Sequence, residues 1–271
     1  MKIISLQPSV SIILDRLGCL DTLAACTKYC TEAVPALRER NLPIVHDSWS
    51  TRAEELLPVR ADLVIASVPY RHESLAAILK SGLPVLALAP HTLANIYNDI
   101  RLIANVTCAI AKGEALIAEM QSAIRFVQEQ TTCLHSRPGV YCEEWGKPLI
   151  HSQTWVAELV AAAGGQFLGV PGATTTPEEI AHANPDVIVA AWCGAGNRVP
   201  LEKIVEQRRW DHLAAVRTGR VYCIADELLN TPAPTLVDGL HALARVVHPE
   251  VFGNPAGPVI RAIDRISVST V

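Results

Sequence analysis

Most of the tryptophans and two of the tyrosines in this chain stand beside polar residues where apolar runs end. Aromatic residues make up only 5% of the 271 positions, yet Tyr29, Trp49, Tyr70, Trp145 and Trp192 all fall at such places. In the first half the run ends read Gln7-Pro8-Ser9, Lys28-Tyr29-Cys30, Asp47-Ser48-Trp49 and Pro69-Tyr70-Arg71. In the second half they read Glu143-Glu144-Trp145, Trp192-Cys193-Gly194 and the segment Asp226–Pro234, which contains Asn230. In open α/β sheets a ligand lies beyond the carboxyl ends of the strands. Flat rings with a few polar groups among them suit a large, flat, mainly apolar ligand. The binding candidates are therefore Ser9, Tyr29, Cys30, Trp49, Tyr70, Arg71, Glu144, Trp145, Trp192, Cys193 and Asn230.

Signatures of catalysis are missing. The sequence has no P-loop, no GxSxG elbow, no HExxH and no dinucleotide GxGxxG after a strand. Gly194-Ala195-Gly196 follows an apolar run but lacks the third glycine. No catalytic residue is assigned, and no nucleotide is expected. Cys30, Cys142 and Cys193, with Glu143 or Glu144, leave open a metal-handling or enzymatic reading. Their spacing matches no compact zinc or iron–sulfur pattern, so no metal ligand is assigned. Of nine histidines, His72, His91 and His151 fall near the same loops.

The elements that must carry these residues alternate. Strands are expected at Ile3–Leu6, Leu23–Thr27, Leu63–Ser67 and Val85–Ala89, with helices at Val10–Leu17, Ala53–Leu57 and His72–Leu79. Such alternation builds right-handed βαβ units around a parallel sheet. From Leu93 to Gln130 apolar residues recur every three or four positions, and Thr92 offers an N-cap. This predicts one long connecting helix, straight or bent at Gly113, of roughly 55 Å at 1.5 Å per residue. Two successive helices are the alternative. Beyond it, strands at Val140–Glu143, Val187–Trp192 and Arg220–Ile224 alternate with helices at Thr154–Ala163, Glu178–Ala183 and Pro234–Val247.

One stretch occurs twice. Glu54-Glu55-Leu56-Leu57 through Asp62 to Ala66-Ser67 is echoed without a gap by Glu178-Glu179-Ile180-Ala181 through Asp186 to Ala190-Ala191. A single echo suits two similar lobes, not a solenoid. The expected fold is α/β, two Rossmann-like lobes joined by one helix: an N-terminal lobe over 1–92, the connector over 93–130 and a C-terminal lobe over 131–271. A cleft between lobes is a common place for a small ligand. Thr51-Arg52-Ala53-Glu54 has capping-box spacing, and Thr175-Thr176-Pro177-Glu178 adds a proline at a helix start. Acidic residues in these first turns meet the helix dipole; the alternative reading gives one exposed glutamate per lobe to a partner.

Bulk composition narrows the function further. A net charge of −4 leaves no basic excess for a nucleic acid. The apolar runs stop well short of a membrane span, so no integral membrane protein is expected. Met1 leads directly into an apolar strand, without the basic and apolar regions of a signal peptide, and the eight cysteines show no disulfide framework. These features predict a cytoplasmic protein with reduced thiols; a periplasmic protein with its leader removed is the alternative.

Ile3-Ile4-Ser5-Leu6-Gln7-Pro8-Ser9 with Leu17-Gly18 resembles the opening of the cobalamin- and siderophore-binding proteins of ABC importers. The resemblance continues through Asp62–Ala66, Gly82–Val85, Trp155–Leu159 with Ala163-Gly164-Gly165, Pro185–Val189, Gly219–Tyr222 and His248-Pro249-Glu250, covering nearly the whole chain. It implies a class III periplasmic-binding-protein-like fold with a helical backbone, and a corrinoid such as cobalamin, or a similar bulky ligand, held without catalysis. It also implies that Glu54 and Glu178 dock on arginines of an ABC permease if the chain serves a transporter. The loop Thr231-Pro232-Ala233-Pro234-Thr235 lacks two arginines often found there in relatives.

Overall fold

A computed structural model of the protein describes residues 1–80, 82–255 and 257–264. The chain divides into two compact units: Met1–Met120 with Pro232–Pro234, and Gln121–Thr231 with Thr235–Val271.

The first unit opens with β1 (Ile3–Ser5), α1 (Pro8–Arg16), β2 (Leu23–Thr27), α2 (Lys28–Ala33), β3 (Ile44–Val45) and α3 (Ala53–Leu56). It continues with β4 (Leu63–Ser67), α4 (His72–Lys80), β5 (Val85–Leu88), α5 (Leu93–Val106) and the start of α6 (Ile110–Thr131). Its five strands lie in the order β3-β2-β1-β4-β5, all parallel. Ile4, Leu6, Ala25, Val64 and Ala66 form the core under Leu56 and Ile78. Continuous apolar strands are what a parallel sheet covered on both faces requires. The order reverses between β1 and β4, and there the Gln7 side chain donates to the Pro69 carbonyl at 3.1 Å.

The connector is two helices, not the one helix expected over 93–130. α5 starts on a full capping box, in which Thr92 and Asn95 each satisfy the other's backbone. It stops because the Thr107 hydroxyl bonds back to the Ile103 carbonyl at 2.7 Å and Cys108 turns left-handed, with φ 55°. A β-branched residue and a cysteine are weak helix formers, so this is where the ladder yields. Gly113 does not bend anything. A Cβ there would overlap that of Ala104, so the glycine lets α5 and α6 approach closely. The unit boundary falls inside α6.

The second unit contains β6 (Gly139–Gly146), β7 (Leu149–His151), α7 (Thr154–Ala162), β8 (Gln166–Phe167), β9 (Thr174–Thr175), α8 (Pro177–Ala183), β10 (Val187–Ala190) and α9 (Leu201–Arg208). α10 (Ala214–Arg217), β11 (Val221–Ile224), α11 (Leu236–Val247), α12 (Pro249–Phe252) and β12 (Ile260–Ala262) complete it. The sheet runs β12-β11-β10-β6-β7-β9, with β8 also beside β6. β11, β10, β6 and β8 are parallel; β12, β7 and β9 pair antiparallel. Tyr141, Ile188, Val205, Trp210 and Val221 lie at the centre of its core.

Candidate functional site

In the second unit the strand ends converge on one polar cluster. Glu144 lies in β6 at the irregularity between Glu143 and Trp145, while Trp192 and Cys193 follow β10. The Cys193 thiol faces Glu144 Oε1 at 3.8 Å, and Gln153 donates to Glu144 Oε2 at 2.7 Å. Asn230 donates to the Ala191 carbonyl at 2.6 Å and to Cys193 Sγ at 3.4 Å, leaving its own buried Oδ1 without a partner. Asp226 fixes the loop after β10 by accepting from the backbone N–H groups of Gly194 (2.8 Å) and Gly196 (2.7 Å). Burial raises the Glu144 pKa despite the hydrogen bonds from Gln153 and Cys193. Desolvation of the sulfur, then the Glu144 and Asp226 charges, push the Cys193 thiol up to about 12, although the residue as a whole is exposed. The cluster thus presents a neutral thiol, amides and a carboxyl that readily holds a proton.

Beneath it lies a closed network. Glu143 is 1% exposed and takes Arg208 on both oxygens (2.6 and 2.9 Å), the Tyr141 hydroxyl (2.6 Å) and the Trp192 indole N–H (2.7 Å). Four charge-assisted bonds saturate the carboxylate. Trp192 is consequently half-buried, and a Cβ at Gly146 would strike its ring. Trp145, 44% exposed, is anchored through its N–H to the Lys147 carbonyl at 2.8 Å.

In the first unit the predicted residues are spread along the strand ends. Ser9 sits in the first turn of α1, buried, with an unpartnered hydroxyl. Tyr29 is exposed and carries the Lys28 ammonium over its ring at 4.8 Å. Trp49 is 52% exposed. The Tyr70 hydroxyl donates to the Leu88 carbonyl at 3.1 Å, and burial, then the charge of Asp99, raise its pKa. Arg71 stays at the surface, 3.7 Å from Glu73. Beside Tyr29 opens a cavity of about 300 Å³, lined among others by His46, Asp47 and Glu55; His46 Nδ1 and Glu55 Oε2 are 2.7 Å apart.

Two candidates move inward. Cys30 is fully buried, its thiol wedged between the hydroxyls of Thr27 (3.2 Å) and Ser5 (3.7 Å), because α2 begins at Lys28 and turns its third residue onto the sheet. Cys142 is also fully buried, and desolvation raises its pKa far above the usual thiol range. A metal site built on these thiols and Glu143 is not formed. No group of three or more His, Cys, Asp or Glu side chains among the described residues is placed to hold a metal ion.

Gln153 and His46 escaped the sequence reading; Asp226 entered it only as the edge of a strand-end segment and Glu55 only as part of the repeat, neither as a site residue. Asp226 lies two residues past a strand end, which is a usable signal. Gln153 joins Glu144 through the β6–β7 hairpin, and nothing in the local sequence announces that pairing. Glu54 and Glu178 are both exposed in the first turns of α3 and α8.

Two open α/β sheets with polar and aromatic strand ends define a small-ligand binder. The periplasmic binding protein family model matches residues 3–228, and the chain belongs to that family, the substrate-binding proteins of ABC importers, which are not enzymes. Its fold is the class III periplasmic-binding-protein fold. It is 25% identical over 266 residues to an uncharacterized ABC transporter substrate-binding lipoprotein, YvrC, of Bacillus subtilis, covering 93% of this chain and 81% of that one. It is 22% identical over 261 residues to a cobalamin-binding protein of Halobacterium salinarum, covering 91% and 69%. A periplasmic heme binding protein from Pseudomonas aeruginosa shares the fold at a TM-score of 0.84, with 20% identity over 97% of this chain and 98% of that one. No helix among the described residues is long and apolar enough to cross a membrane.

Proposed function

We propose that the protein binds a corrinoid of the cobalamin type at its strand ends and delivers it, without catalysis, to an ABC permease. The observation that carries the ligand class is the Glu144–Gln153–Asn230–Cys193 cluster, with the exposed Trp145 next to Glu144 in the chain. A corrin ring stacks on an indole face, and its amide arms match a row of carboxyl, amide and thiol groups. A haem bears carboxylates instead, which the Asp226 charge beside Cys193 would repel on this side. The similarity to a cobalamin-binding protein points the same way. Haem is the second reading, favoured by Lys28 and Arg71 at the strand ends of the first unit and by the shared fold with a heme binding protein. Glu54 and Glu178 support the delivery role, each exposed at the start of a short helix where a partner's arginine can reach it.

The test is a visible-spectrum titration of the purified protein with aquocobalamin and, separately, with hemin. Saturable binding of cobalamin with quenched tryptophan fluorescence is expected. Trp145→Ala is expected to weaken it by about 1–3 kcal/mol, the value of a lost aromatic contact. Saturation by hemin alone transfers the proposal to haem, and binding of neither removes it.

A further inference from the structure

A second cavity in the second unit, about 240 Å³, shares no residue with the strand-end cluster. Its walls are aliphatic: Leu168, Val170, Ala173 and Ile180. Four polar side chains break that lining: Thr174 and Thr175 of β9, His151 at the end of β7 and Glu179 in the first turn of α8. His151 is 3% exposed, and its Nδ1 is buried with no hydrogen-bond partner. Buried polar atoms are nearly always paired, so an orphan in a side chain that lines a cavity points to a ligand there.

The ring is held firmly. Tyr141 meets it edge-on at 5.3 Å, Phe167 tilts against it at 6.1 Å, and a Cβ at Gly169, where φ is +94°, would overlap it. Burial lowers the His151 pKa, against the charges of Glu143 and Glu179, so the imidazole is neutral near pH 7 and offers an acceptor nitrogen. Glu179 is ionised, since bonds from Thr175 and Thr176 lower its pKa; both fall on Oε2, and no bond to Oε1 occurs among the described residues. A neutral acceptor and an anionic one, set in aliphatic walls, call for an apolar body with a cationic donor. An apolar cavity of about 150 Å³ already holds a benzene ring.

We propose that this cavity binds a small aliphatic ammonium ion, with its hydrocarbon part against Leu168, Val170 and Ile180 and its N–H groups shared between Glu179 and the His151 ring. A carboxylate of the same shape meets the Glu179 charge and is excluded. An alcohol keeps the imidazole bond and loses the ion pair, so it binds more weakly.

The experiment is calorimetric titration of the full-length protein with cyclohexylammonium, cyclohexanol and cyclohexanecarboxylate, with the His151 Cε1–H resonance followed by NMR. Saturable binding is expected for the ammonium, at least about tenfold weaker binding for the alcohol, and none for the carboxylate. The bound ammonium shifts the His151 resonance. Glu179→Gln keeps the capping box and should reduce the ammonium to the level of the alcohol while leaving thermal stability unchanged. Ala173→Leu fills the cavity and should abolish both. Equal binding of carboxylate and ammonium, no binding at all, or unchanged binding in both variants would overturn the proposal.

Discussion

The two copies of the repeated segment fold differently. In the second unit Thr176 accepts from the Glu179 backbone N–H at 3.2 Å, Glu179 answers at 3.0 Å, and Pro177 occupies the first helical position. α8 then runs seven residues to a left-handed Asn184. In the first unit the capping box expected from Thr51 and Glu54 does not form. Arg52 is the N-cap and makes no side-chain bond, α3 lasts four residues, and the Thr51 hydroxyl is buried without a partner. Glu55, the counterpart of Glu179, turns to His46 instead. The same Glu-Glu pair can therefore close a helix start or reach across to the loop after another strand. Which it does depends on where the preceding loop delivers the backbone N–H groups.

The contrast extends to ion pairs, and the largest expected effect lies there. Arg208–Glu143 is nearly inaccessible, with side chains 10% and 2% exposed, whereas the His46 and Glu55 side chains are 66% and 28% exposed. Removing one member of a buried pair strands the other charge. Arg208→Met should destabilise the protein by about 3–5 kcal/mol in urea unfolding and blue-shift the emission of Trp192 or broaden it as its anchor loosens. A loss below about 1 kcal/mol would place the network in solvent contact.

Next comes Asp99, a carboxyl on α5 in the first unit whose pKa, like that of Glu144 in the second, is raised by burial. It is 8% exposed, and burial raises its pKa from 3.8 to about 7. A raised carboxyl pKa means the folded state holds a proton that the unfolded chain has lost. Its favourable contribution is complete below about pH 4 and disappears as pH rises through 7. Asp99→Asn should therefore stabilise the protein at pH 8, by about 2–4 kcal/mol at most, and leave it unchanged at pH 3.5. Equal shifts at both pH values would contradict the burial account.

The helix starts give a smaller, direct comparison. Thr176→Ala should cost about 0.5–2 kcal/mol because a cap is lost. Thr51→Ala should be neutral or slightly stabilising, since it removes an unsatisfied buried hydroxyl. Matching losses would mean that Thr51 caps α3 in solution. Smallest of all, Glu55→Gln should change stability by less than about 1 kcal/mol, as for exposed ion pairs generally. A thermal-shift measurement at low and high salt suffices to check it.

Most elements were legible because their signals are local. β2 and β4 fall on their predicted residues, and α1, α7, α8 and α11 begin or end within two positions, since apolar periodicity and the Thr92 cap need no tertiary information. β3, β7, β8, β9 and β12 went unseen. They are two or three residues long, and only their neighbours make them strands. The single connector failed for a related reason: the three- and four-residue spacing passes through Thr107 and Cys108 unchanged, and periodicity does not register one left-handed residue.

The sequence by itself determined the class of protein, because two α/β halves, their strand ends and the family-wide motifs are written in short segments. It also supplied the residue types of the binding surface. Tertiary structure decided which of them are available. Cys30 and Cys30's counterpart in type, Cys142, disappear into the sheets, and Glu143 is consumed by Arg208, a residue 65 positions away. Glu144, its immediate neighbour, points to the opposite face and meets Gln153 and Cys193, the latter also bonded by Asn230. Successive side chains on a strand alternate faces, so adjacent glutamates meet different environments, and only the packing of the chain around each face settles which is core and which is surface.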